Sequence, residues 1–168
     1  MFTSGSTGFP KGVLITHDNL LNFIEWGADT FGFTEEDVFT GVNPLYFDNA
    51  VFDMYSSFFS GGRLISFSKD VVAQPKALIE LIDEMKCTVW FSVPSLLIFL
   101  QTMKVLTADR MRFVRKLIFG GEGYPKSKLV KLFETYETRT ELINVYGPTE
   151  ATCICSSHVI SRADFQDL

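Results

Sequence analysis

The sequence predicts an α/β fold: a mostly parallel β-sheet flanked by helices on both faces. Short apolar runs with almost no charge recur along the chain, as strands covered on both sides require. Between them lie segments whose apolar residues repeat at i, i+3, i+4 and i+7, the helical period. Strands that alternate with helices are joined by right-handed crossovers and therefore pair in parallel.

In order, the strand-like runs are GVLIT from Gly12, DVFTGV from Asp37, RLISF from Arg63, TVWFSV from Thr88, KLIF from Lys116 and ELINVY from Glu141. The first helical stripe, Leu20, Phe23, Ile24 and Phe31, follows Thr16, a residue type that caps helix N-termini. NAVFDMYSSFF, behind Asp48, is a second helical segment. Leu78, Leu81, Ile82 and Met85 form a stripe after Pro75, and Leu129, Leu132, Phe133 and Tyr136 form another after Pro125. Proline is tolerated in the first turn of a helix. The tail TCICSSHVI, from Thr152, alternates with period two and predicts an edge strand. No internal repeat, linker or low-complexity segment interrupts the pattern.

Composition narrows the function classes. A chain of 168 residues has room for one domain with a sizeable core. With 46% apolar and 21% charged residues it is globular, not disordered. A net charge of −5 argues against a nucleic-acid surface, which needs a basic excess. Three cysteines cannot close a complete disulfide set, so a reducing compartment is expected. The longest apolar stretch, VWFSVPSLLIFL, contains Ser and Pro and is shorter than the ~20 residues of a bilayer crossing. No basic segment followed by an apolar one opens the chain. The expectation is a cytoplasmic protein with no membrane contact.

The opening stretch FTSGSTGFPKGV, from Phe2, carries the chemistry. Its glycines let backbone N–H groups approach an anion, its hydroxyls add donors, and Lys11 supplies a compact charge. A Walker loop is excluded, because Lys11 stands between Pro10 and Gly12. By composition alone, a Ser/Gly stretch also reads as a flexible surface loop. An anion loop in an α/β protein normally follows a strand, yet only Met1 and Phe2 precede this one. The chain is therefore expected to begin inside a domain.

The complete string TSGSTGFPKG resembles the phosphate-binding signature of adenylate-forming enzymes, the superfamily of acyl-CoA ligases, luciferases and amino-acid adenylation domains. NVYGPTEA, from Asn144 to Ala151, is similar to that superfamily's second nucleotide motif. YFDNAVFDMY, from Tyr46, resembles the substrate-pocket segment of its amino-acid-activating members, and GGEGYP, from Gly120, the turn that lines the adenine site. Four motifs in the right order cover nearly all of the chain.

The resemblance implies a Rossmann-like subdomain of the adenylation fold, with residues 1–168 as a partial AMP-binding domain truncated at both ends. It implies ATP and Mg²⁺ as cofactors, and attack of an amino-acid carboxylate on the α-phosphate to give an aminoacyl-adenylate and pyrophosphate. The aminoacyl group then passes to the phosphopantetheine thiol of a carrier protein. Two anions must meet, so catalysis is mainly positioning and charge neutralisation. Thr3, Ser4, Gly5, Ser6, Thr7, Gly8 and Lys11 would cradle the pyrophosphate. Tyr146 would stack on adenine, with Gly121, Glu122, Asn144 and Gly147 around the nucleotide. Thr149 would contact the α-phosphate and Glu150 would hold Mg²⁺; with Lys11 they form the expected catalytic set. Without the opening loop, Pro148-Thr149-Glu150 reads simply as a turn leaving a strand.

The same resemblance gives Asp48 the α-amino group of an amino acid, since a partly buried ammonium needs a carboxylate partner. As a sequence feature Asp48 also reads as an N-cap, worth about 1 kcal/mol, and the two roles are compatible. Asn49, Phe52, Phe91, Ile118, Gly120, Val145, Cys153 and Ile154 would line an apolar, cramped side-chain pocket. The chain resembles D-alanine:carrier-protein ligases as well as nonribosomal peptide synthetase adenylation domains, but the former carry a cysteine where Gly120 stands. The ribose-binding aspartate, the hinge and the small domain with the catalytic lysine would lie in the remaining parts of the adenylation domain. The isolated chain is then expected to bind nucleotide weakly and not to turn over. Alternatives are an acyl-CoA or aryl-acid ligase of the same superfamily, distinguished by the ammonium, and a non-catalytic nucleotide-binding module.

Other features read as structural. Cys153 and Cys155 would share a strand face, a weak metal signal without a second ligand pair. His17 falls in a helix's first turn and His158 in a strand. Arg110, Arg112, Arg115, Lys116, Lys126, Lys128 and Lys131 form a basic cluster, by default a solvated face and otherwise a docking surface for an acidic carrier.

Overall fold

The structure is a computed structural model that describes residues 1–3, 9 and 11–166, with the backbone alone at Phe2 and Thr3. Two short strands, β1 (Phe2–Thr3) and β2 (Lys11–Gly12), pair antiparallel. The main sheet holds β3 (Val38–Gly41), β4 (Arg63–Ser66), β5 (Val89–Ser92), β6 (Lys116–Gly120), β7 (Glu141–Tyr146) and β8 (Ser156–Val159). Their order is β4-β3-β5-β6-β7-β8. All neighbours are parallel except β8, which runs antiparallel along β7 at the edge.

The helices of the described residues are α1 (His17–Phe31), α2 (Asn49–Phe59), α3 (Lys69–Val72), α4 (Pro75–Glu84), α5 (Pro94–Thr102) and α6 (Lys126–Tyr136). α1 and α2 pack Phe23, Phe31 and Phe52 on Phe39, Phe91, Ile118 and Val145 of one face. α4, α5 and α6 pack Leu78, Ile82, Leu97, Leu100, Leu132 and Tyr136 on Trp90, Leu117 and Phe119 of the other. Alternate residues of β5 and β6 thus feed opposite cores, as the period-two pleat dictates.

Helix starts follow the residues that mark them. Thr16 caps α1 by a capping box: Asn19 N–H donates to Thr16 Oγ1 at 3.2 Å, and Thr16 N–H to Asn19 Oδ1 at 3.1 Å. Gly32, with φ of 57°, closes the same helix. Pro75 occupies the first turn of α4, whereas Pro125 stands one residue earlier, as the N-cap of α6.

Three expectations of regular structure need correction. GVLIT is not a strand of the sheet: regular pairing ends at Gly12, and one further exchange ties Val13 to Met1. Among the described residues no partner strand continues beside Leu14, which is exposed. The tail becomes a strand only from Ser156, because Thr152 and Cys153 both take positive φ (61° and 75°) and turn the chain. Cys153 and Cys155 consequently share no strand face; Cys153 is buried and Cys155 exposed. In α4 the buried stripe is Leu78, Ile79, Ile82 and Asp83, while Met85 is the exposed C-cap.

A polar knot pins the strands' amino ends. Asp37, ahead of β3, accepts from Thr88 Oγ1 (2.6 Å), Arg115 Nε (2.8 Å) and Thr34 N–H (2.9 Å). Thr88 and Arg115 lie just ahead of β5 and β6, so one carboxylate ties three strands. With structure fixed at that end, the opposite, carboxyl end is free to carry a site.

Candidate active site at the carboxyl ends of the strands

Open α/β sheets bind ligands beyond the carboxyl ends of their strands. Here those ends deliver Asn43 after β3, Ser92 in β5, Gly121 and Glu122 after β6, and Tyr146 and Gly147 at β7. A groove of about 530 Å³ lies among them, lined by Asn43, Asp48, Asn49, Ser92, Gly121 and Glu122.

Asp48 sits at the N-cap position of α2, yet its side chain makes no cap bond. Its Oδ2 accepts instead from Thr149 Oγ1 at 2.5 Å, joining segments 101 residues apart. Thr149 opens a 3₁₀ turn, Thr149–Ala151, that Thr152 ends in the left-handed region. Glu150, on this turn, is exposed and faces a smaller cavity of about 270 Å³ beside Trp26.

The strand ends are built around two glycines. A Cβ on Gly120 would stand 2.2 Å from Val145 O, and one on Gly147 would stand 2.4 Å from Cys153 O. Only glycine lets β7 and the returning chain approach so closely. Tyr146 leaves β7 with its ring largely exposed, and Asn144, two residues earlier, is exposed on the same face. Glu122 Oε2 accepts from Ser95 N–H (3.0 Å) in the first turn of α5, where a carboxylate also favours the helix dipole.

Thr3 and Lys11 are cross-strand partners in β1 and β2, and Lys11 is exposed. Ser4, Gly5, Ser6, Thr7 and Gly8 lie outside the described residues. The expected pocket residues Phe52, Phe91, Ile118, Val145, Cys153 and Ile154 come together, but as one packed cluster beneath α1 and α2. The Phe52 and Phe91 rings are 4.7 Å apart. Burial raises the Cys153 thiol far above its ordinary range, so it is a packing group and not a nucleophile.

The family model for AMP-binding enzymes matches residues 1–167. The chain belongs to this family. It is 38% identical over 164 residues to the L-proline--[L-prolyl-carrier protein] ligase of Streptomyces coelicolor, covering 98% of this chain and 31% of that ligase. It is 36% identical over 162 residues to the D-alanine--D-alanyl carrier protein ligase of Bacillus cytotoxicus, covering 96% of this chain and 32% of that one. The fold matches the Vibrio cholerae adenylation domain AlmE, solved with glycyl-adenosine-5'-phosphate. The TM-score is 0.83 at 30% identity, covering 95% of this chain and 29% of AlmE. The chain thus spans about a third of the length of the curated ligases it matches.

Two groups of this AMP-binding chain escape sequence reasoning. Asn43 Nδ2 donates to Asp53 Oδ2 (2.8 Å) and to Phe91 O (3.0 Å), clamping the chain after β3 to β5. Asp53 is fully buried in α2; burial pushes its carboxyl well above the usual range, and the Asn43 hydrogen bonds offset part of that. The one available signal was helical spacing, since Asn49, Asp53 and Ser57 follow one another at i+4 on α2.

The basic cluster is largely committed within the fold. Arg110 and Arg112 pair with Asp83 (4.0 and 3.7 Å), Arg115 with Asp37, and Lys116 with Glu141. His158 Nε2 lies 3.0 Å from Asp164 Oδ1. Among the described residues no three His, Cys, Asp or Glu side chains form a metal cage, and no helix is long and apolar enough to cross a membrane.

Proposed function

We propose that the chain is the nucleotide- and amino-acid-binding portion of an adenylation domain. It activates an amino-acid carboxylate with ATP, forming an aminoacyl-adenylate that is passed to the phosphopantetheine thiol of a carrier protein. The observation that carries this reading is the hydrogen bond from Thr149 to Asp48, a residue that lines the groove. It joins the expected ammonium partner to the expected phosphate contact, beside the Gly121-Glu122 turn.

In this reading Asp48 holds the substrate's ammonium, and the carboxylate at the other end of the same short molecule is thereby aimed at the phosphate. Thr149 donates its hydroxyl to an α-phosphate oxygen, where charge grows during attack. Lys11, with Thr3, Ser4, Gly5, Ser6, Thr7 and Gly8, receives the departing pyrophosphate. Tyr146 offers an exposed ring for adenine, flanked by Asn144, Gly121, Glu122 and Gly147. Asn49, Phe52, Phe91, Ile118, Gly120, Val145 and Cys153 set the floor and wall beside the side chain, and their close packing favours a small residue. Glu150 fits Mg²⁺: among the described residues it is an exposed carboxylate with no protein cage around it, and that cation keeps waters and takes phosphate oxygens. When bound, Mg²⁺ would neutralise phosphate charge. A cytoplasmic setting and the remaining parts of the adenylation domain complete the reading.

The test is substrate-dependent ATP–pyrophosphate exchange on the full-length protein that carries this chain. The panel holds L-proline, D-alanine, glycine, the other amino acids, and fatty and aryl acids. We expect exchange with one amino acid, and its loss in Asp48→Ala while the protein stays folded. Exchange confined to acids without an amino group would instead assign an acyl or aryl-acid ligase.

A further inference from the structure

Asp48 and Thr149 are bonded to each other, yet the proposed function gives them different ligands. A threonine hydroxyl has one proton to donate. While that proton lies on Asp48 Oδ2 it is not available to a phosphate oxygen. Asp48, for its part, makes no cap bond in α2; it lines the groove, and its Oδ2 accepts from Thr149. Moving the proton needs only rotation about the Cβ–Oγ1 bond, with no backbone change.

Resting on the reading above, we infer that Thr149 is a specificity-determining residue: its hydroxyl engages Asp48 Oδ2 until the nucleotide draws it away, so that ATP frees that oxygen for the substrate's ammonium. Once Thr149 turns to phosphate, Asp48 is a half-buried carboxylate that has lost a donor, and an ammonium replaces it with interest in charge. The linkage is reciprocal. An ammonium bound first weakens the Asp48–Thr149 bond and so eases the binding of ATP. An acid with a methyl group in place of the ammonium gains nothing from this exchange, and it is disfavoured most when nucleotide is already bound. Discrimination for an amino acid is thus sharpened by ATP itself.

The experiment is calorimetric titration of the full-length protein with α,β-methylene-ATP and Mg²⁺, a probe that cannot form adenylate. It is done alone, with the amino acid that supports exchange among L-proline, D-alanine and glycine, and with propionate. We expect the amino acid to tighten the probe about fivefold or more, in the usual range of such couplings, and propionate to leave it unchanged. Thr149→Val should abolish the coupling and Thr149→Ser restore it. Asp48→Ala should tighten the probe about tenfold or more where Thr149 is present, by the strength of a hydrogen bond to a charged group. In the Thr149→Val background the same change should matter less than twofold. Equal tightening in both backgrounds would mean simple charge repulsion, and it overturns the inference; so does coupling that survives Thr149→Val. The exchange assay keeps the two claims apart. Amino-acid-dependent exchange that is lost in Asp48→Ala, alongside an additive cycle, sinks this inference alone. Exchange that needs no amino group sinks the reading beneath it as well.

Discussion

At Gly120 a single hydrogen atom separates a packed sheet from a clash. The Cβ of any other residue would meet Val145 O at 2.2 Å and Val145 Cγ2 at 2.7 Å, in the neighbouring strand. Gly120→Ala should therefore destabilise by about 1–3 kcal/mol, the cost of forcing atoms into a filled core. A urea midpoint unchanged from the parent would show that the ends of β6 and β7 part freely. Gly120→Cys should cost at least as much in this backbone. Asp53 makes a prediction of opposite character, read by pH. Its folded pKa is raised by burial, so the stability it contributes as a neutral acid is complete below about pH 4. That contribution is lost as pH rises toward the folded value. Asp53→Asn keeps an oxygen for Asn43 Nδ2 and cannot ionise, so its stability should fall less than the parent's between pH 5 and pH 8. Parallel profiles of denaturant midpoint would show that the buried carboxyl ionises without cost.

Between elements, the ties at Asp37 decide how firmly β3, β5 and β6 hold register. Burial alone would raise the Asp37 carboxyl, but the Arg115 guanidinium, the Thr88 hydroxyl and the Thr34 N–H together keep it below the usual range. A depressed folded pKa stabilises above the unfolded value and is lost as pH falls through the folded one. Stability should accordingly decline from about pH 4 downward. Arg115→Met, which strands a buried carboxylate, should cost about 2–3 kcal/mol at pH 7 and much less at low pH. A loss independent of pH would assign Arg115 to packing alone. The five parallel strands were legible from their residues, because runs such as TVWFSV hold no charge and are bounded by helical periods. GVLIT has a similar apolar composition, but composition does not say whether a partner strand lies beside it, and for Leu14 none does among the described residues. The tail failed for a conformational reason: alternation is written in side chains, and two positive φ angles are not. The site was legible where a contiguous string names its motif, as around Asp48 and Thr149. Their mutual bond was not, nor was the Asn43–Asp53 clamp, because both depend on how distant elements pack.

Over the whole molecule the core is sound but the surface is not evenly polar. Leu14, Leu45, Tyr46, Phe47, Phe58 and Phe59 are all more than half exposed, between 58% and 88%. They belong to the chain before α1, the loop before α2 and the end of α2 itself. Large apolar side chains exposed in such number mark contact surfaces, or else association where no contact is made. The longer relatives contain more than twice the length matched here, so the same side chains need not face water in a full adenylation domain. For the 168 residues alone the consequence is measurable. Sedimentation velocity should show the average mass rising with concentration. Phe58→Ser combined with Phe59→Lys should move it toward the monomer while leaving the melting temperature unchanged, since neither ring is in the core clusters. A chain that stays monomeric at every concentration would show that these side chains are tolerated by solvent. It would also remove the reason to expect a cover over the outer face of α2.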